Sequence, residues 1–259
     1  MTAHLSEFRS LIAPILDGID AHSTVAVSND HGPLAIFLLD RARRKGCRHV
    51  AIDPDAALET MLMYNDLGGA LWAENSVEWL NLMEVADAYI LDGDHNYHTV
   101  LSELRTIRQR AAQWDRPMPL ILIHDVIWPY ARRDHYRNPE AIPEDKRHAH
   151  GAGLGVRMGQ PLADAGGFHP GYGAFAIREG GPCNGVLTAI EDFKAETPDL
   201  WASVIPTAGG LCCLTNNATA RRIWPHVAAI TNDGTLAETE FARLRKLTES
   251  GPHHQRHTA

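Results

Sequence analysis

At 259 residues, 44% hydrophobic and 22% charged, the chain has the length and balance of one large globular domain that buries its core without metal or disulfide staples. A formal net charge of −8 gives no sign of the basic face that nucleic acid requires, and the short basic runs at 41–44 and 132–133 read as solvated helix faces. No apolar run approaches the roughly 18 residues of a membrane span, and the polar first ten residues do not read as a signal peptide.

In chain order, apolar residues spaced by three and four predict an amphipathic first helix over 5–16. A β-branched strand over 24–27 ends in the polar run Ser28-Asn29-Asp30-His31-Gly32. Pro33 then opens a helix that Gly46 closes. Further strands are expected at 49–52, 70–73, 88–91 and 120–123, with helices over 56–66, 76–83 and 97–113 between them. The last of these strands, Leu120-Ile121-Leu122-Ile123, is apolar at every position, as a centre strand covered on both faces would be. After Asp125 the periodicity stops, and residues 126–184 read as a Gly-, Pro-, Arg- and His-rich lid or binding loop, whose glycine-rich second half reads as a mobile lid. Regularity resumes with a helix over 185–196, two strands at 201–206 and 211–215 joined so closely that they must be antiparallel, and a helix near 236–247.

The expected fold is therefore α/β: a doubly wound, mostly parallel Rossmann-like sheet with a C-terminal antiparallel hairpin, forming one domain over 1–259 with a substrate-covering insertion at about 126–184. Of the four cysteines, Cys212 and Cys213 are adjacent and cannot point the same way along a strand, and no C-x-x-C pair exists. That usage points to a reducing cytoplasm, with neither structural zinc nor a disulfide framework. The N-terminal helix is free either to build a homodimer or to pack on its own sheet.

Ligands of open α/β sheets sit at the carboxyl ends of the strands. Here those ends carry Asp30, Asp53, Glu74-Asn75-Ser76, Asp92-Gly93-Asp94-His95 and His124-Asp125, an acid at every one. The first loop lacks G-x-G-x-x-G, which argues against a dinucleotide. A single Gly32 suits a ligand carrying an amino acid in place of phosphates, met by Asn29 and Asp30; a plain turn with Asp30 as helix cap fits the same residues. Asp53 stands where ribose hydroxyls are usually held, and Asn75 and Ser76 could edge an adenine, Ser76 reading equally as a helix cap.

The most specific signal is Asp92-Gly93-Asp94-His95-Asn96-Tyr97 followed one helix later by His124-Asp125-Val126. These motifs, with the terminal hairpin, resemble class I S-adenosylmethionine-dependent methyltransferases, specifically the group of small-molecule and sugar O-methyltransferases that includes cephalosporin-pathway and macrolide-sugar enzymes. The likeness covers roughly 24–126 and resumes at 184–193. It implies S-adenosylmethionine as cofactor, with Asp92 in contact with it, and a small-molecule acceptor. It also implies a magnesium ion held by Asp92 and Asp125, as some relatives hold one at these strand ends. His95, with His124 second, is the expected general base for taking a hydroxyl proton. Trp128, Tyr130, Arg132 and Arg133 are expected to cover the acceptor, the arginines clamping an anionic group. The sequence departs from the family in its glycine-poor first loop. Two other readings stay open: a metal-dependent hydrolase using Asp92, Asp94, His95, His98, His124 and Asp125, and a non-catalytic methyltransferase-like binding protein.

Overall fold

The computed structural model describes residues 5–28, 31–206 and 209–231. The expected helix near 236–247 lies outside them, as do Asn29 and Asp30.

A turn of 3-10 helix at Leu5–Phe8 leads into α1 (Arg9–Gly18). The chain then alternates β1 (Ser23–Ser28), α2 (Pro33–Lys45), β2 (Arg48–Ile52), α3 (Leu58–Asp66), β3 (Ala70–Trp72), α4 (Ser76–Leu82), β4 (Ala88–Asp92), α5 (Tyr97–Gln113) and β5 (Leu120–His124). Local signals place these ends where the sequence marks them. Pro33 occupies the first turn of α2, Gly46 takes the left-handed conformation (φ 64°) and donates its N–H to Ala42, and Arg43, Arg44 and Lys45 crowd the negative end of the helix. At the start of α5 the Asn96 side chain accepts the Thr99 N–H at 2.8 Å.

Five parallel strands and a terminal hairpin, β9 (Leu200–Ile205) and β10 (Leu211–Asn216), form one seven-stranded sheet in the order β3-β2-β1-β4-β5-β10-β9. Only β10 runs against its neighbours, pairing Leu211 with both His124 and Ile205. This is the predicted doubly wound sheet with its reversed end. Alternate residues divide the core. Ile90, Leu122 and Cys213 join the layer of α1 and α2, with Ile15, Leu38 and Ile223, while Leu91, Ile123 and Cys212 join that of α5 and the helix over Val186–Glu196, with Leu104, Ile107 and Phe193. The two cysteines thus lie on opposite faces, both fully buried.

Two expectations need correction. Residues 126–184 are not without regular structure: β6 (His135–Tyr136), β7 (His150–Ala152) and β8 (Ala174–Ala176) make a small antiparallel sheet in the order β6-β8-β7. Strands of two or three residues pair only through distant contacts, so no periodicity announces them. The chain leaves this sheet into α6 (Val186–Glu196) through Gly185 (φ 90°), where a Cβ would lie 2.5 Å from the Ala131 carbonyl and the Arg133 amide. The second correction is α7 (Asn217–Thr231), which the sequence reading passed over. Ala220, Ile223 and Val227 carry the helical spacing, but Pro225 interrupts it. Among the described residues, no helix is long and apolar enough to cross a membrane.

Candidate functional site

Strand order reverses between β1 and β4, because the chain winds from β1 outward to β2 and β3 and then returns to β4 and β5. The residues that end β1, β2, β4 and β5 therefore face one crevice.

At the β2 end, Asp53 is 4% exposed. Its Oδ2 lies 2.9 Å from Nε2 of His31, and its Oδ1 accepts the Asp55 N–H at 3.1 Å and lies 3.7 Å from Nη1 of Arg137. Facing a carboxylate, His31 Nε2 carries the proton; Nδ1 meets the Tyr64 hydroxyl at 3.3 Å. Burial alone would raise the Asp53 pKa, but His31, the Asp55 N–H and Arg137 outweigh it and hold the carboxyl below its usual value. Gly32 precedes the first residue of α2, and its carbonyl accepts the Ile36 N–H.

The β3 end corrects the assignment of Ser76 as a cap. Asn75 caps α4, accepting the N–H groups of Val77 and Glu78. The buried Ser76 hydroxyl turns inward to Glu103 Oε1 at 2.6 Å. Burial pushes the Glu103 carboxyl up to about 8, although that hydrogen bond works against the shift. Trp72, which ends β3, is 41% exposed and packs on Trp79 at 4.7 Å between ring centroids.

Asp92, His124 and Asp125 converge from the ends of β4 and β5, each offering a ligand atom within 4.8 Å of the others. Asp125 adopts φ 56°, a left-handed conformation that Asp tolerates better than most residues. His124 Nδ1 lies 2.9 Å from Asp92 Oδ1. His95 aims Nε2 into the same cluster, 3.2 Å from Asp125 Oδ2 and 3.6 Å from Asp92 Oδ1, without hydrogen-bond alignment to either. Burial alone would lower the His95 pKa, but Asp125 and Asp92 outweigh it and hold the imidazole above its usual value. Burial opposes ionisation of Asp92 as well, yet His124 and His95 keep its carboxyl well below the usual carboxylate range. The terminal hairpin closes against this cluster at Gly209 (φ 85°), where a Cβ would lie 2.3 Å from Asp125 Oδ1.

Asp94 and His98 are not among the residues that offer converging ligand atoms. Asp94 accepts from the Asn96 amide at 2.6 Å and from the Arg137 N–H at 3.3 Å. His98 is the second residue of α5. The two-metal ligand set of the hydrolase reading is thus not assembled among the described residues.

Aromatic residues of the insertion wall one side. Tyr130 stacks on His95 at 4.5 Å between centroids and on Phe175 at 5.8 Å, and Trp128 packs on Phe168 at 5.9 Å. The arginines are placed otherwise than expected. Arg133 is fully buried inside the insertion and donates to the carbonyls of Ala176 (2.8 Å), Ile177 (2.7 Å), Pro161 (3.1 Å) and Gln160 (3.3 Å), so it binds the insertion together and has no free fork for an acceptor. Arg132 pairs with Glu191 of α6. The residue after Arg133 carries weight that the sequence reading missed. Buried Asp134 accepts the N–H of Tyr97 and of Gly185, at the starts of α5 and α6, both at 2.7 Å.

No protein-family model and no curated protein matches the chain. Solved structures similar to it include an S-adenosylhomocysteine-bound methyltransferase of Podospora anserina, 14% identical over 80% of this chain and 78% of that one, with a TM-score of 0.46. Another is the 1,6-didemethyltoxoflavin-N1-methyltransferase of Burkholderia thailandensis with 1,6-didemethyltoxoflavin and S-adenosylhomocysteine bound, 13% identical over 81% and 77%, with a TM-score of 0.41. At these scores neither adds to the fold, which rests on the chain's own strand order and registers.

Proposed function

We propose that the chain is an S-adenosylmethionine-dependent methyltransferase that methylates a hydroxyl of a small molecule. The observation that carries this reading is the sheet order β3-β2-β1-β4-β5-β10-β9, with β10 alone reversed and buried acids, Asp53 and Asp92, ending the two strands that flank β1. An adenosyl amino acid laid across the β1 end would bring its ribose to Asp53 and its sulfonium toward Asp92. Trp72 offers an exposed flat face for adenine, a role better suited to it than to Ser76, whose hydroxyl is bound to Glu103. The amino-acid end falls to Gly32 with Asn29 and Asp30, as the sequence motif suggests.

The cofactor supplies an activated methyl group, so the chain need only align the acceptor and take its proton. His95 is the proposed proton acceptor. Its Nε2 faces the carboxylates of Asp125 and Asp92, which orient the ring and stabilise the imidazolium that forms. Tyr130, stacked on that ring, and Trp128 are proposed to shape the acceptor pocket. In this role His95 would take the acceptor's hydroxyl proton as the cofactor's methyl group passes from sulfur to the acceptor oxygen. Asp92, Asp125 and His124 are the residues that would hold a divalent ion, which would lower the pKa of the acceptor hydroxyl. An imidazole nitrogen among the donors suits a zinc- or manganese-like ion better than magnesium, which prefers oxygen ligands alone.

Calorimetric titration with S-adenosylhomocysteine tests the reading: micromolar binding is expected. A protein that takes up no adenosyl compound would refute it.

A further inference from the structure

Arg137 follows β6 in the insertion, and its surroundings tie together three parts of the crevice. Just before it, the His135 N–H donates to the His95 carbonyl at 3.0 Å, and its own N–H donates to Asp94 Oδ1 at 3.3 Å, so this stretch of backbone is pinned to the β4–α5 loop. The guanidinium then reaches to the β2 side, with Nε 3.0 Å from Asp55 Oδ2 and Nη1 3.7 Å from Asp53 Oδ1. In the sheet β1 lies between β4 and β2, so Arg137 crosses the switch point itself. With His31 on Oδ2, both oxygens of Asp53 are engaged.

We propose that Arg137 is an affinity-determining residue of the cofactor site, acting as a latch: the insertion and the cofactor's ribose compete for Asp53, and the cofactor enters as Arg137 lets go. The inference rests on the proposed function for the identity of the ligand. The two partners of Asp53 are unequal. The His31 side chain is 14% exposed and also held by Tyr64, whereas Arg137 is 31% exposed and its nearer partner, Asp55, is 62% exposed. An ion pair so open to water is weak and releases readily into solvent. Arg137 is therefore the side that yields, and because it belongs to the insertion, its release couples cofactor entry to movement of the segment that walls His95.

The latch has a consequence opposite in sign to the usual effect of deleting a charged residue from a binding site. In titrations with S-adenosylhomocysteine, Arg137→Ala is expected to bind about two- to fivefold more tightly than wild type, the range an exposed ion pair supports. Asp55→Asn, which removes the nearer partner and leaves Asp53 intact, is expected to tighten binding in the same direction. Raising sodium chloride to about 0.5 M should tighten wild type and leave Arg137→Ala unmoved, because salt screens the exposed pair. Weaker binding by Arg137→Ala would show that Arg137 holds the ligand, and unchanged binding would show that nothing competes; either result overturns the latch while leaving the methyltransferase reading intact. Absence of binding by wild type and both variants would remove the cofactor assignment and the latch with it.

Discussion

Asp134 offers a quantitative check on how the insertion is fastened to the sheet. Its buried carboxylate accepts three short hydrogen bonds: the Tyr97 N–H at 2.7 Å, the Gly185 N–H at 2.7 Å and the Tyr136 hydroxyl at 2.8 Å. Two of the donors lie at helix starts, where the backbone lacks intrahelical partners and a negative charge is favoured. Asp134→Ala leaves two amides and a phenol unmet in the interior, each costing about 1–3 kcal/mol, against relief from no longer burying a charge. The expected net loss is about 4 kcal/mol, or roughly 8–15 °C in Tm for a chain of this size. Asp134→Asn keeps an oxygen for the two amides. Its new amide nitrogen would donate to the Tyr136 hydroxyl, which already accepts the His148 N–H at 2.8 Å and would then have no place for its own proton. About 1–2 kcal/mol is expected. Urea unfolding followed by far-ultraviolet circular dichroism measures both. An alanine variant within about 1 kcal/mol of wild type would refute the assigned anchor. An asparagine variant as damaged as alanine would show that charge, and not bond geometry, does the holding.

Arg133→Met should likewise lower stability, by about 3 kcal/mol, because at least two buried carbonyls lose their donors, while S-adenosylhomocysteine affinity stays within about twofold of wild type; stability equal to wild type in urea would return Arg133 to the role of acceptor clamp. Glu103 predicts a pH dependence. Its folded pKa of about 8 stands above the ordinary glutamate value of 4.5, so its contribution to stability is fully present below about 4.5, falls away as pH rises and is gone above about 8. Glu103→Gln, which cannot ionise, should therefore gain in stability relative to wild type between pH 6 and pH 8.5, and a pH-independent difference in urea midpoints would contradict the assignment. Asp53→Ala should weaken S-adenosylhomocysteine binding by roughly tenfold or more, whereas His95→Gln should leave that binding intact and depress turnover by about a hundredfold or more; equal losses of binding and turnover in His95→Gln would show that it is misassigned.

The parts of the fold visible in the sequence are those set by local chemistry. Pro33 and Gly46 mark the two ends of α2, and the uniformly apolar run before His124 marks a centre strand. The convergence of Asp92 with His124 and Asp125 was legible for the same reason, because each ends one of two neighbouring strands. What escaped depends on distant pairing. Arg133 reads as a candidate anion clamp until the carbonyls of residues 160–177 are folded around it. Nothing near Arg137 in sequence announces Asp53, more than eighty residues earlier, and His31 shows its partner only once β1 and β2 are side by side. Ser76 reads as a helix cap until Glu103, a buried carboxyl on α5, is seen to hold its hydroxyl, with Asn75 capping α4 in its place.

The most direct test of the central claim is a crystal structure of the protein with S-adenosylhomocysteine. The account predicts the ligand across the carboxyl end of β1, its ribose hydroxyls on Asp53, its sulfur on the side of Asp92 and His95, and Arg137 withdrawn. A ligand bound elsewhere, or a crevice still bridged by Arg137 and empty at saturating ligand, would contradict it.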